Sequence, residues 1–252
     1  INPSFGPLPY DRGRFAARRR LNNNGIYNIE PEYGATYSFG PPSFGHTFWR
    51  YFPADEYFAS HPEYFAMNAE GKRIPDQMCL SNPEFRSEAI AKLKNFVEQG
   101  EAAARQKGID RPRLYDLSIN DNNAPCLCPE CRRIVAETGA ESGLLFDFLN
   151  QAGAELEAFR PGAGLRLITL NYLFAELPPT AIRPAANVIP RLCDTTSNRL
   201  ALIASPGNRP FREMVETWGK LTGCLYIWDY CTTYELTGLP APTEYFWPED
   251  RK

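Results

Sequence analysis

Four short apolar runs, each stopping at a polar or acidic residue, constrain this chain more than any other feature. They span 114–119, 165–170, 187–192 and 225–228, and they end at Asn120 and Asp121, at Asn171 and Tyr172, at Cys193 and Asp194, and at Asp229 and Tyr230. Leu114, Tyr115, Leu117 and Ile119 suit a buried strand, whereas Asn120, Asp121, Asn122 and Asn123 are turn-formers that could not continue it. Helical or loop segments separate the runs, and that alternation predicts parallel strands. Parallel strands put their C-terminal ends on one face, so residues far apart in sequence would converge there. In a (β/α)8 TIM-barrel-like fold that face holds the active site.

The intervening segments fit this reading. A helix is predicted over 83–105, with Ser81 and Glu84 in a capping-box pattern and Pro83 in the first turn. Phe85, Ala89, Leu93, Phe96 and Val97 recur on one face, and Gly108 closes the segment. A helical hairpin follows over 130–137 and 142–159. The proline-rich stretch 177–184 leaves room for no more than a short helix, and 211–221 is helical by the spacing of Met214, Val215, Trp218 and Leu221. A dinucleotide-binding fold is disfavoured because no G-x-G-x-x-G follows an early strand, and no Walker A loop is present. There is no G-x-S-x-G elbow and no H-E-x-x-H helix, which argues against serine hydrolase and zincin chemistry.

With 252 residues and 43% hydrophobic content, the chain can bury one large core. A formal net charge of -3 gives no electrostatic reason to expect nucleic acid, and Arg18, Arg19 and Arg20 form too short a run to reverse that. No apolar segment reaches the length of about 18 residues that a membrane span needs. Residues 1–14 are rich in Pro and Gly and read as an irregular lead-in or linker, and 15–252 as one partial barrel domain. A first strand or edge is predicted over 15–21 and a second short strand over 35–39.

Several residues could face a ligand. Arg18 could clamp a carboxylate or sugar hydroxyls, with a solvated surface as its alternative. His46 follows a glycine and precedes Phe48, Trp49 and Tyr51, and aromatics beside a hydrogen-bonding tip resemble a sugar subsite. A satisfied structural histidine is the alternative there. Cys126, Cys128 and Cys131 form C-x-C-x-x-C, close enough to chelate a structural zinc ion if Cys193 or His46 supplied a fourth ligand. A disulfide within the loop or to Cys193, or buried free thiols, are the other readings, and the odd total of seven cysteines cannot all pair within one chain.

The phrases GHTFWRYFPADEYFASHPEYFAM, CLSNPE, SINDNNAPCLCPEC, NVIPRLCD and LYIWDY, in this order, resemble the bacterial family catalogued as domain of unknown function 4838. The resemblance covers about 15–242. It implies a glycoside-hydrolase-like barrel related to the α-glucuronidase and hexosaminidase groups, often behind a smaller N-terminal domain. The family continues past the tryptophan-aspartate-tyrosine strand to a last strand and helix, so a barrel ending at Lys252 is expected to be incomplete at its C-terminal end. Glycan degradation would in turn favour an extracytoplasmic, periplasmic or secreted, parent protein.

Glycoside hydrolysis commonly needs two carboxyl groups. Asp121 is the first candidate for the acid, with Asp229 or Asp194 as its partner. The alternative for each aspartate is to cap the helix that follows. Trp49, Trp228 and Tyr230 could stack on a sugar, and His46, Asn120, Asn171 and Tyr172 could bond its hydroxyls. Arg18 would pair with a uronate carboxylate if the sugar is acidic. The expected partner is a carbohydrate, with no cofactor required for the chemistry. A non-catalytic carbohydrate-binding or structural barrel module is the alternative from a different class.

Overall fold

The computed structural model describes residues 39–42, 44–198 and 201–229. The elements run α1 (Phe48–Tyr51), α2 (Ala54–Tyr57), a 3-10 turn (Pro62–Tyr64), β1 (Phe65–Met67), β2 (Arg73–Met78), α3 (Pro83–Lys107), β3 (Leu114–Asp116), α4 (Pro129–Thr138) and α5 (Glu141–Phe159). They continue through β4 (Arg166–Asn171), a 3-10 turn (Leu173–Ala175), β5 (Val188–Cys193), a 3-10 turn (Pro206–Asn208), α6 (Arg209–Leu221) and β6 (Tyr226–Trp228).

The strands β3, β4, β5 and β6 form a four-stranded sheet in that order, and every neighbouring pair is parallel. Of the short strand predicted over 35–39, Phe39 alone is described, and it makes a parallel bridge to Leu114. The predicted parallel α/β sheet is therefore present, and spatial order follows chain order without a reversal. Among the described residues this parallel sheet has four strands and does not close into a barrel. β1 and β2 pair separately as an antiparallel hairpin, which the sequence reading did not anticipate.

Local chemistry explains the helix ends. The side chain of Asn82 accepts from the Phe85 N–H, so Asn82, not the predicted Ser81, caps α3. At the other end Gly108 adopts φ 64, the left-handed conformation that closes a helix at least cost with glycine. The hairpin of α4 and α5 fills the β3 to β4 connection, whereas β4 reaches β5 through a 3-10 turn and the predicted proline-rich loop.

The two faces of the sheet differ in chemistry because side chains alternate along a strand. Tyr115, Leu117, Leu167, Val188 and Leu192 belong to the main core, which also contains Leu93 and Val97 of α3 and Phe148 and Leu149 of α5. Asp116, Ile168, Leu170, Ile189 and Arg191 fall on the opposite face by the same register. Beyond the sheet, Phe48, Phe52, Tyr64, Phe85 and Phe148 meet in tilted and edge-on contacts that fix α1 and the 3-10 turn before β1 against α3 and α5. Lys92 fastens the same corner, bonding the Tyr51 carbonyl and the Tyr57 hydroxyl while its ammonium lies 4.3 Å from the centre of the Phe52 ring.

Candidate functional site

Asn171 ends β4 and Tyr172 follows it, Asp194 and Asp229 follow β5 and β6, Asp121 stands five residues past the end of β3, and a buried ion pair lies within the strands behind them. Asp116 and Arg191 are buried and joined at 2.7 Å across β3 and β5. Asp116 also accepts from the Gly45 N–H at 2.9 Å, from the Thr47 hydroxyl at 3.2 Å and from the Ser118 hydroxyl. A buried carboxylate is tolerated only with such partners. These bonds pull the 45–47 tip down onto the sheet. Gly45 takes φ 72 and His46 takes φ 49, and the left-handed backbone lifts the imidazole over the strand ends. Thr47 completes the tie, since its Oγ1 accepts from the Ser118 N–H while the Phe48 N–H donates to the Ser118 carbonyl.

His46 consequently meets Asp121. The His46 Nδ1 lies 2.9 Å from the Ile119 carbonyl, and Nε2 lies 3.7 Å from Asp121 Oδ1, with side-chain exposures of 31% and 67%. The Tyr172 ring stands edge-on to the imidazole at 6.0 Å. The next two strand ends are brought side by side: the Asp194 N–H donates to the Trp228 carbonyl at 3.0 Å, which puts Asp194 beside Asp229. Asp229 is exposed. Asp194 is buried and accepts from the Ser197 N–H at 3.0 Å and from the Ser197 hydroxyl. Its carboxylate thus holds a turn, the local role that aspartate so often takes after a strand.

Other predicted residues also have structural duties. Asn120 Oδ1 accepts from the Trp49 N–H at 2.9 Å and its amide donates to the Asp76 carbonyl at 2.5 Å. Gln77 adds two bonds to the Asn120 backbone, accepting from its N–H at 3.0 Å and donating to its carbonyl at 2.7 Å. Trp49 is left 50% exposed at the rim, with the Arg50 guanidinium 4.5 Å from its ring centre. Asn171 is buried and donates to the Ala175 carbonyl at 3.0 Å. Trp228 packs against Arg191 at 4.9 Å and covers Gly45, where an added methyl would lie 3.6 Å from the indole. Arg18 and Tyr230, the strand predicted over 15–21 and the lead-in 1–14 lie outside the described residues.

Sequence reading passed over Asp116, Arg191, Gln77 and Glu176. Glu176 follows the turn after β4. Burial pushes its carboxyl above the ordinary range, and the charge of Asp194 pushes it further. Burial likewise pushes the Cys193 thiol up to about 12.

The fourth cysteine is corrected. Cys193 ends β5 opposite Trp228 and His46 sits over Asp121, so neither joins Cys126, Cys128 and Cys131. Cys79, just past β2, does: the sulfur atoms of Cys79, Cys126, Cys128 and Cys131 all lie within 4.8 Å of one another, and all four side chains are buried. Next to this cluster a cavity of about 180 Å³ is lined by Phe48, Ile119, Leu127, Val135, Leu144 and Phe174 among others. Its lining is mostly apolar, with Gln77, Arg132 and Glu141 as the polar members, and its volume is below the ~300 Å³ at which small-molecule sites usually begin.

Among the described residues no helix is long and apolar enough to cross a membrane. No curated protein matches the chain. Among solved structures the chain is similar to the β-N-acetylhexosaminidase of Bacteroides fragilis NCTC 9343, with a TM-score of 0.40 and 14% identity. The similarity covers 72% of this chain and 31% of that one, so the chain spans less than a third of that protein's length. Residues 11–249, nearly the whole chain, match the family described as Domain of unknown function (DUF4838), and the chain belongs to that family.

Proposed function

We propose that this chain forms the catalytic face of a carbohydrate-active hydrolase, with its parallel strands continuing into a (β/α)8 barrel in the parent protein. The observation that carries the proposal is the meeting of His46 with Asp121 and Tyr172 past β3 and β4, on the same carboxyl side of the parallel sheet as Asp194 and Asp229, which follow β5 and β6. Two carboxyl groups on one face are what glycosidic cleavage requires: one protonates the leaving oxygen and the other attacks or activates water. Asp121 takes the first role, within reach of His46. Asp229 is preferred to Asp194 for the second, because the Asp194 carboxylate is already bonded twice to Ser197. Exposed Trp49 offers a ring face to the sugar. The partner is then a poly- or oligosaccharide, uronate-containing if Arg18 reaches the site, and the parent protein works outside the cytoplasm.

One observation favours a second reading, a non-catalytic carbohydrate-binding module. With Asp194 engaged in a turn, the pair of free carboxylates depends on Asp229 alone. A panel of glycans and aryl glycosides offered to the full-length protein separates the two. Hydrolysis that falls by about 100-fold or more in Asp121→Asn, the scale of a lost acid catalyst, supports the enzyme. Sugar binding without cleavage in the unaltered protein supports the module. Full activity in Asp121→Asn removes Asp121 from the acid role.

A further inference from the structure

The four clustered cysteines serve no purpose in the proposed reaction, yet they come from three separate parts of the chain: the end of β2, the loop after β3 and the first turn of α4. We propose that Cys79, Cys126, Cys128 and Cys131 bind one zinc ion in a closed structural site that fastens the loop carrying Asp121 to the β1–β2 hairpin.

The distances favour a single ion. A tetrahedron with zinc–sulfur bonds of about 2.3 Å has edges of about 3.8 Å. Cys79 Sγ lies 3.7 Å from Cys128 Sγ and 3.9 Å from Cys131 Sγ. A disulfide would need about 2.05 Å between its sulfurs. A four-iron cluster seats each thiolate on a different iron and spreads the sulfurs wider than one ion does.

The surroundings suit thiolates. The Met67 N–H lies 3.3 Å from Cys126 Sγ, and the Cys131 N–H lies 3.4 Å from Cys128 Sγ. Cys128 is also the N-cap of α4, where the exposed N–H groups of the first turn favour negative charge. Arg73 Nη1 lies 3.7 Å from Cys126 Sγ, and the Ser81 hydroxyl lies 3.0 Å from Cys131 Sγ. Zinc with four thiolates carries a net charge of about −2, and a guanidinium at hydrogen-bonding distance offsets part of it. Such outer partners orient and tune metal ligands. All four positions are filled by protein sulfur and each side chain is at most 5% exposed, so no position is open to water or substrate and the site is structural.

Placement gives the site its function. Cys79 lies two residues beyond Gln77, whose amide bonds Asn120 twice, and the Leu127 N–H donates to the Met67 carbonyl at 2.8 Å. The amide clamp holds the near end of the 120–131 loop to the hairpin, and the metal holds the far end. Asp121 projects from the part between them.

The test is the metal content of the full-length protein, purified with its thiols protected. About one zinc per chain is expected, falling at least tenfold in Cys79→Ser and Cys131→Ser and unchanged in Cys193→Ser and Cys224→Ser. Loading with cobalt should give the strong visible absorption of a tetrahedral thiolate site. Should the serine variants fold poorly, the unaltered protein and the two controls still decide. A strong chelator should lower its melting temperature, and added zinc, but not magnesium, should restore it. The proposal is overturned by a zinc-free protein whose four thiols are reactive or paired in disulfides, by iron in place of zinc, by zinc loss in Cys193→Ser, or by a melting temperature that ignores chelation.

Discussion

Asp116 and Asp121 lie on the same short segment and have opposite surroundings. Asp116 is fully buried and takes bonds from Gly45, Thr47, Ser118 and Arg191. Asp121 is 67% exposed, with His46 Nε2 at 3.7 Å. One carboxylate is consumed by the fold and the other is presented by it. The exposed one stays in place because Gln77 of β2 holds the backbone on either side of it, bonding Asn120 before it and the Asn122 carbonyl after it, while Asp116 anchors the strand that leads there. A carboxylate held past a strand end by its neighbours, facing solvent with a histidine at hand, is what a catalytic acid or a sugar-binding group needs.

The largest test of the contrast is Asp116→Ala. It leaves Arg191 buried and charged and frees the 45–47 tip, so a loss of about 3–5 kcal/mol is expected from urea unfolding. A loss below 1 kcal/mol would mean that the tip is held by other contacts. Asn120→Ala comes next, removing two hydrogen bonds from a buried amide at a cost of about 1–3 kcal/mol. It should also speed hydrogen exchange at the Trp49 N–H, which a general loss of packing would not single out.

Glu176→Gln should act in the other direction. The Glu176 carboxyl is raised in the folded protein by burial, with Asp194 adding to it, so the folded state holds that proton more tightly than the unfolded chain does. The stabilisation is fully present below the ordinary glutamate value of 4.5 and is lost as pH rises through the raised folded value. The glutamine variant should therefore melt higher than the parent at pH 7, with that advantage shrinking toward pH 4. An equal gain at both values would assign the effect to packing. The smallest stability effect belongs to Asp121→Asn, expected to stay within about 0.5 kcal/mol as an exposed substitution does. A large loss there would erase the contrast between the two aspartates.

The strands β3 to β6 and the helices α3 to α6 were legible in the sequence, because apolar periodicity and turn residues are local signals. The hairpin of β1 and β2 was not: Arg73, Ile74, Pro75 and Asp76 alternate weakly, and a proline argues against a strand. Asp116 was hidden inside an apolar run, and its partner Arg191 lies 75 residues away, a pairing that no local pattern reports. Cys126, Cys128 and Cys131 announced themselves by spacing. Cys79 joins them through the folding of the hairpin, and nothing in its own neighbourhood marks it as their companion. The strand-end aspartates were legible as a set, but the division of labour among them depended on which oxygens the fold had already claimed, as Ser197 does for Asp194.

Among the described residues the sheet grows by laying each new strand against the last, from the bridge at Phe39 through β6, without turning back on itself. A sheet wound in two directions opens a crevice where its connections part, and a ligand can settle there between strands. A sheet wound in one direction has no such seam. Whatever binds at its carboxyl end must rest on a floor of side chains and be walled in by loops. Recognition can then be rebuilt by exchanging loops such as 45–49 or 120–127 while the floor stays the same.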